Sequence, residues 1–107
     1  MPAPRGHARL VIKTGDLEGT SYELAAAETL IGRNPNTDIK LLDEGISREH
    51  AIILYDDVND SYSVEDLQST NGTQVNGKRV RSVTLSSGDE LRIGRTLFEF
   101  LRDEPHE

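Results

Sequence analysis

The chain has 107 residues, 12 basic against 19 acidic for a formal charge of −7, and no cysteine. One domain accounts for that length, and disulfides, thiolate metal sites and cysteine nucleophiles are excluded. The negative balance argues against general nucleic-acid or anionic-membrane binding, because phosphate-rich surfaces attract net positive ones. No apolar stretch approaches the roughly 20 residues of a membrane span. The start, MPAPRGHARL, lacks the apolar core of a signal peptide. A soluble, cytoplasmic domain is expected.

Strand signals dominate the pass along the chain. Residues 1–7 read as a tail, and ARLVIKT (8–14) alternates, with Leu10 and Ile12 on one face. SYEL (21–24) follows a turn at Gly19, and LAAAET (24–29) is the best helix candidate, though short. TLIGR (29–33) reads as a strand, NPNTD (34–38) as a turn and IKLL (39–42) as a short strand. HAIILYD (50–56) is β-branched and apolar on both faces, which predicts a central strand. DDVND is a polar turn cluster. SYSVEDL (61–67) turns Tyr62 and Val64 one way, Ser63 and Glu65 the other. TQV (73–75) meets KRV (78–80) across Asn76-Gly77, a dipeptide that favours the positive φ angles of a two-residue hairpin turn. ELRIG (90–94) and TLFEFL (96–101) close the domain, with Phe98 and Phe100 on one face, and 102–107 reads as tail or linker. About ten short strands separated by turns predict an all-β antiparallel sandwich or barrel.

The stretch GISREHAIILY places Ser47, Arg48 and His50 at the mouth of the longest apolar run. Three chemistries fit: a hydrolase nucleophile with its base, fold-holding hydrogen bonds, or a receptor for an anion. The strand from 50 runs away from Ser47 and the strand from 61 runs back. The loop QSTNGT (68–73) therefore arrives beside Ser47 and Arg48. Arg33 is not placed by this argument. A full-length strand at 39–42 would set Arg33 and Ser47 at opposite ends. About four residues at roughly 3.3 Å each could instead cross between sheets. Spacing leaves both open.

LIGRNPNTDIKL, GISREHAII, DLQSTNGTQVNGKRV and LSSGDELRIG occur in that order. Together they resemble the forkhead-associated (FHA) domain, a phosphothreonine-peptide binding module. The similarity covers about 8–101, and its specific part is the ordered set Gly32-Arg33, Ser47-x-x-His50 and Thr70-Asn71-Gly72. The resemblance implies an antiparallel β-sandwich of about eleven strands with ligand loops at one apex. It thereby implies that Arg33, Ser47 and Asn71 share that apex.

The roles it implies agree with what each side chain can do. A phosphothreonine carries about −1.5 to −2 charges and strong acceptor oxygens. Arg33 supplies permanent charge and paired donors; its bland alternative is a surface pair with Asp38. Ser47 supplies a hydroxyl, and a tight turn there would add amide donors. Arg48 adds a phosphate contact or pairs with Glu44 or Glu49. Thr70 supports the phosphate or the peptide backbone. Asn71 grips the peptide main chain, since an amide both donates and accepts. Gly32 allows a close backbone approach, Gly72 supplies positive φ, and Asn76 ties loops together. His50 is implied to be structural; the G-x-S-x-G elbow of a serine hydrolase is missing, and no acid is clearly placed to orient the imidazole.

No metal and no cofactor are expected: DDVND lacks the glycine and terminal glutamate of a calcium loop. The run KRVR (78–81), with Arg92 and Arg95, reads as a solvated face guarding a sheet edge. The loop before Ser47 carries Asp43, Glu44 and Gly45 and no basic residue. The resemblance implies that this loop reads the residue three places after the phosphothreonine, so little preference for an acidic side chain is expected there. The expected partner is a phosphothreonine-containing protein or peptide, with no nucleic acid and no membrane. A phosphothreonine within a longer parent chain is an admissible occupant. The alternatives are a phosphorylation-independent docking or oligomerisation module on the same fold, an esterase-like enzyme, and a carbohydrate- or nucleic-acid-binding sandwich. An aromatic content of 5% disfavours the last.

Overall fold

The computed structural model describes residues 7–103. Eleven strands form two sheets: β1 (His7–Ile12), β2 (Ser21–Glu23), β3 (Glu28–Gly32), β4 (Ile39–Lys40), β5 (Ala51–Asp56), β6 (Ser61–Asp66), β7 (Thr73–Val75), β8 (Lys78–Val80), β9 (Ser82–Leu85), β10 (Glu90–Ile93) and β11 (Thr96–Asp103). One sheet runs β2-β1-β11-β10-β7-β8 and the other β4-β3-β5-β6-β9. No helix occurs among the described residues. The helix candidate at 24–29 is instead a connection leading into β3. Its backbone groups are claimed by strands on either side: Leu24 N–H donates to Ala8 O at 2.8 Å, and Ala27 O accepts from Tyr55 N–H at 2.9 Å. Inter-strand pairing leaves no ladder for a helix there.

The period-2 pattern explains the core. Leu10 and Ile12, Ile31, Ile53, Tyr62 and Val64, Leu91 and Ile93, and Phe98 and Phe100 point inward from both sheets and are buried in one cluster. Each such side chain contributes about 1.5–3 kcal/mol by leaving water. β5 lies between β3 and β6, central as its composition predicted. The Asn76-Gly77 turn has φ of 53° and 83°, and Thr73 pairs with Val80 across it.

Three details depart from the sequence reading. β9, within SVTL, had no predicted counterpart; it pairs with β6, Val64 opposite Val83. Pairing of His7 with Asp103 and Ala8 with Arg102 carries β11 past residue 101, so Arg102 and Asp103 are strand rather than tail. The remaining predicted tails, 1–6 and 104–107, lie outside the described residues. Finally, β4 is only two residues long and runs parallel to β3, with Ile31 opposite Ile39, so the sandwich is not purely antiparallel. After Gly32 the chain turns back through 33–38, where Thr37 Oγ1 donates to Asn34 O at 2.7 Å and Asp38 N–H reaches Leu30 O at 2.9 Å. It then climbs beside β3 again. Because β3 and β4 run the same way, both end at the same pole, and so do the loops that follow them.

Candidate functional site

That pole gathers the loops after β3, β4 and β6. Arg33 N–H donates to Ser47 O and Asn34 N–H to Arg48 O, each at 3.1 Å. Gly32 permits this approach, since a Cβ there would run into the Arg48 carbonyl. The Arg33 side chain donates from Nε to Ile46 O at 3.0 Å. That single bond fixes the guanidinium plane and leaves both terminal NH2 groups able to donate. The predicted pairing with Asp38 does not form; Asp38 instead accepts Leu30 N–H at 2.8 Å. Arg48 is exposed and pairs with neither Glu44 nor Glu49.

The loop after β6 is tied to this one by side chains. Ser47 Oγ accepts Thr70 N–H at 3.1 Å, and Asn71 Nδ2 donates to Gly45 O at 2.9 Å. The hydroxyl that accepts keeps its own proton to donate. The Asn71 amide keeps its oxygen and one N–H. Thr70 and Asn71 are exposed. Arg33, Ser47, Thr70 and Asn71 thus converge through a chain of direct contacts, with Arg48 next to Ser47. The pole presents exposed donors and, among the described residues, two guanidinium groups without an ion-pair partner.

His50 is fully buried beneath it. Nδ1 accepts Ser47 N–H at 3.1 Å, and Nε2 lies 2.8 Å from Gly72 O. An N–H can only donate, so Nδ1 is the acceptor and the ring proton sits on Nε2, donating to the carbonyl. Neither ring nitrogen is left to take a proton from Ser47 Oγ. Gly72, with φ of 86°, turns the chain so that its carbonyl faces the ring.

Asp66, Ser69 and Thr73 brace the second loop, and the sequence reading missed this cluster. Asp66 accepts Ser69 Oγ at 2.5 Å, Thr73 Oγ1 at 2.7 Å and Ser69 N–H at 3.1 Å. Ser69 Oγ in turn accepts Gly72 N–H at 2.9 Å. Burial pushes the Asp66 carboxyl up, but these donors outweigh it and hold it below the usual carboxylate range. The signal available was the Asp66-x-x-Ser69 spacing, which suits a side-chain-capped turn. Asp43 does similar work opposite. It accepts Gly45 N–H at 2.9 Å and Arg95 N–H at 2.7 Å, and these bonds, Gly45 first, lower its carboxyl. Asp43 thereby fastens the β10–β11 turn to the Ser47 loop. Arg95 lines a cavity of about 430 Å³ with Asp43, Glu44, Gly45, Asn71 and Gly94. The loop before Ser47 itself carries no basic residue, but Arg95 from the β10–β11 turn lies beside it.

Asn76 stands apart. β7 runs three residues away from the pole before the hairpin turn. There Asn76 donates from Nδ2 to Asp89 Oδ1 at 3.0 Å and accepts Glu90 N–H at 2.9 Å. It ties the hairpin to β10, away from the loops that carry Arg33, Ser47 and Asn71. Among the described residues no group of His, Asp and Glu side chains could hold a metal ion, and no helix is long and apolar enough to cross a membrane.

A family model for the FHA domain matches residues 29–94. The glycogen accumulation regulator GarA of Mycobacterium tuberculosis is 42% identical over 98 residues, which are 92% of this chain and 59% of that protein. The chain thus spans about 59% of the length of the first curated relatives it matches. Mycobacterium tuberculosis EmbR, solved with a low-affinity phosphopeptide, superposes with a TM-score of 0.81 at 38% identity, covering 94% of this chain and 26% of that one. A structure from a study of phosphothreonine-dependent FHA domain interactions gives 0.82 at 32% identity, covering 94% and 99%. With the matched segment, the relatives and the eleven-strand sandwich in agreement, this chain belongs to the FHA domain family.

Proposed function

We propose that this chain is a non-enzymatic, phosphothreonine-dependent interaction domain that recruits or regulates partners in cytoplasmic Ser/Thr kinase signalling. Arg33, Ser47 and Arg48 take the phosphate. Thr70 and Asn71 hold the peptide backbone beside it. One observation carries the reading: the Ser47 hydroxyl accepts Thr70 N–H, which leaves its own proton available to donate, next to a guanidinium already held by Ile46 O. Donors held in place before the ligand arrives lose little entropy on binding. The relatives add support, since GarA is named a regulator and EmbR a transcriptional regulatory protein. Hydrolysis is disfavoured because both His50 nitrogens are committed.

A short peptide on such a site is expected to bind near micromolar, about −8 kcal/mol. A niche for the threonine methyl would add about 0.8 kcal/mol, roughly fourfold over phosphoserine. Net charge of −7 steers a phosphopeptide poorly at long range, so contact charge dominates and moderate salt weakens binding. The test is calorimetric titration of one peptide as phosphothreonine, phosphoserine and unmodified forms. Phosphothreonine is expected to bind best and the unmodified form not to bind. Equal binding of all three would establish a phosphorylation-independent docking module instead, and release of phosphate would establish an enzyme.

A further inference from the structure

Arg79 and Arg81 are not explained by the apex. Arg79 lies on the edge strand β8, opposite Gln74, yet its side chain folds back over the β6–β7 loop. A Cβ built on Gly72 would lie 2.5 Å from its Nε and 2.9 Å from its Cζ. Gly72 directly follows Asn71. Arg81 leads into β9, and its carbonyl accepts Asp66 N–H at 2.8 Å, which anchors it under the same loop. The two residues line a cavity of about 550 Å³ with Asp66, Gln68, Ser69 and Val80.

Both arginines are exposed, and among the described residues neither guanidinium makes a hydrogen bond or an ion pair. Asp66 lines the same cavity and keeps its charge, but its oxygens accept Ser69 and Thr73 and neither arginine forms an ion pair with it. In a chain of net charge −7, two neighbouring cations that form no ion pair among the described residues are unexpected. Edge protection asks only for charge along β8; it gives no reason for Arg79 to turn onto the loop.

We propose that Arg79 and Arg81 form a second anion subsite, which takes a carboxylate or a second phosphate on the same peptide. This rests on reading the apex as a phosphothreonine site. Guanidinium groups suit the role, since each can grip a carboxylate or phosphate through two parallel bonds. The reach is set by the loop. Thr70 touches Ser47 Oγ and Gly72 lies under Arg79, so the two points are at most about 7 Å of chain apart. An extended peptide advances about 3.3 Å per residue. With side-chain length added, the second anion belongs about two to four residues from the phosphothreonine.

The experiment titrates the whole chain with a singly phosphorylated threonine peptide. It then uses the same peptide carrying glutamate or phosphoserine at each position up to four residues on either side. The wild type is expected to gain about tenfold at one or two positions, more for phosphate than for carboxylate. The R79Q/R81Q double variant should lose that gain and bind the singly phosphorylated peptide as the wild type does. No gain at any position overturns the subsite while the apex reading stands. So does a gain that survives in the double variant. If the wild type fails to bind the singly phosphorylated peptide, the apex reading falls and the subsite with it. Should the double variant not fold, the single variants R79Q and R81Q are read in the same way, each expected to lose part of the gain, and a gain unchanged in both overturns the subsite.

Discussion

The Ser47 hydroxyl accepts the backbone N–H of Thr70 at 3.1 Å, across 23 positions of sequence. One side chain locks two loops together and keeps its own hydroxyl proton available to a ligand. Ser47→Ala removes both effects. A hydrogen bond to a charged group is worth about 1.5–3 kcal/mol, so phosphopeptide affinity is expected to fall roughly tenfold to a hundredfold. The exposed rim should leave the melting temperature close to that of the wild type. Calorimetry and thermal melts on one preparation would check this; unaltered affinity would remove Ser47 from the site.

Arg33→Lys keeps the charge but replaces the planar fork by a point donor. It loses the Nε bond to Ile46 O as well. Affinity is expected to fall nearly as far as in Arg33→Ala, by tenfold or more. Recovery of wild-type affinity in the lysine variant would show that charge alone suffices.

His50→Ala is a stability variant. The ring is fully buried and bridges Ser47 N–H to Gly72 O. Removing it leaves a cavity and two polar groups without partners, a cost of about 2–5 kcal/mol. Urea unfolding measures it. A loss under about 1 kcal/mol would mean that water replaces the ring at little cost.

Acid should loosen the loops before the core. Asp43 and Asp66 are both held below the ordinary carboxylate value in the folded chain. Their contribution is therefore complete above the unfolded value of about 3.9 and is lost as pH falls through the lower folded values. Asp66→Asn should lower stability at neutral pH and flatten the acid limb of a plot of urea midpoint against pH. A limb unchanged in slope would assign acid unfolding to other carboxylates.

Gly72→Ala should damage binding more than its size suggests. The residue sits at φ of 86°, and a Cβ there would push on the Arg79 side chain. Left-handed backbone costs a residue with a Cβ roughly 1–2 kcal/mol. The carbonyl on His50 and the neighbouring Asn71 should shift together. Binding and melting temperature are both expected to drop, whereas Gly77→Ala, with open space around its Cβ, should affect only the hairpin.

Much of this protein was legible in one dimension. Alternation in ARLVIKT, SYSVEDL and TLFEFL fixes which residues face inward, because a strand has a period of two and one face must leave water. Asn76-Gly77 marks the hairpin, since few other pairs tolerate two positive φ angles. Hairpin direction alone predicts that the loop holding Thr70 and Asn71 meets Ser47. The position of Arg33 was not legible from spacing. It depends on β4 being two residues long and parallel to β3, a pairing decided by what Ile39 finds beside Ile31. The commitment of both His50 nitrogens, the Asp66–Ser69–Thr73 brace, the approach of Arg79 to Gly72 and the bond from Arg95 N–H to Asp43 are likewise tertiary. A side-chain hydrogen bond spans two segments whose distance in sequence carries no information, and only the closed sandwich sets their distance in space.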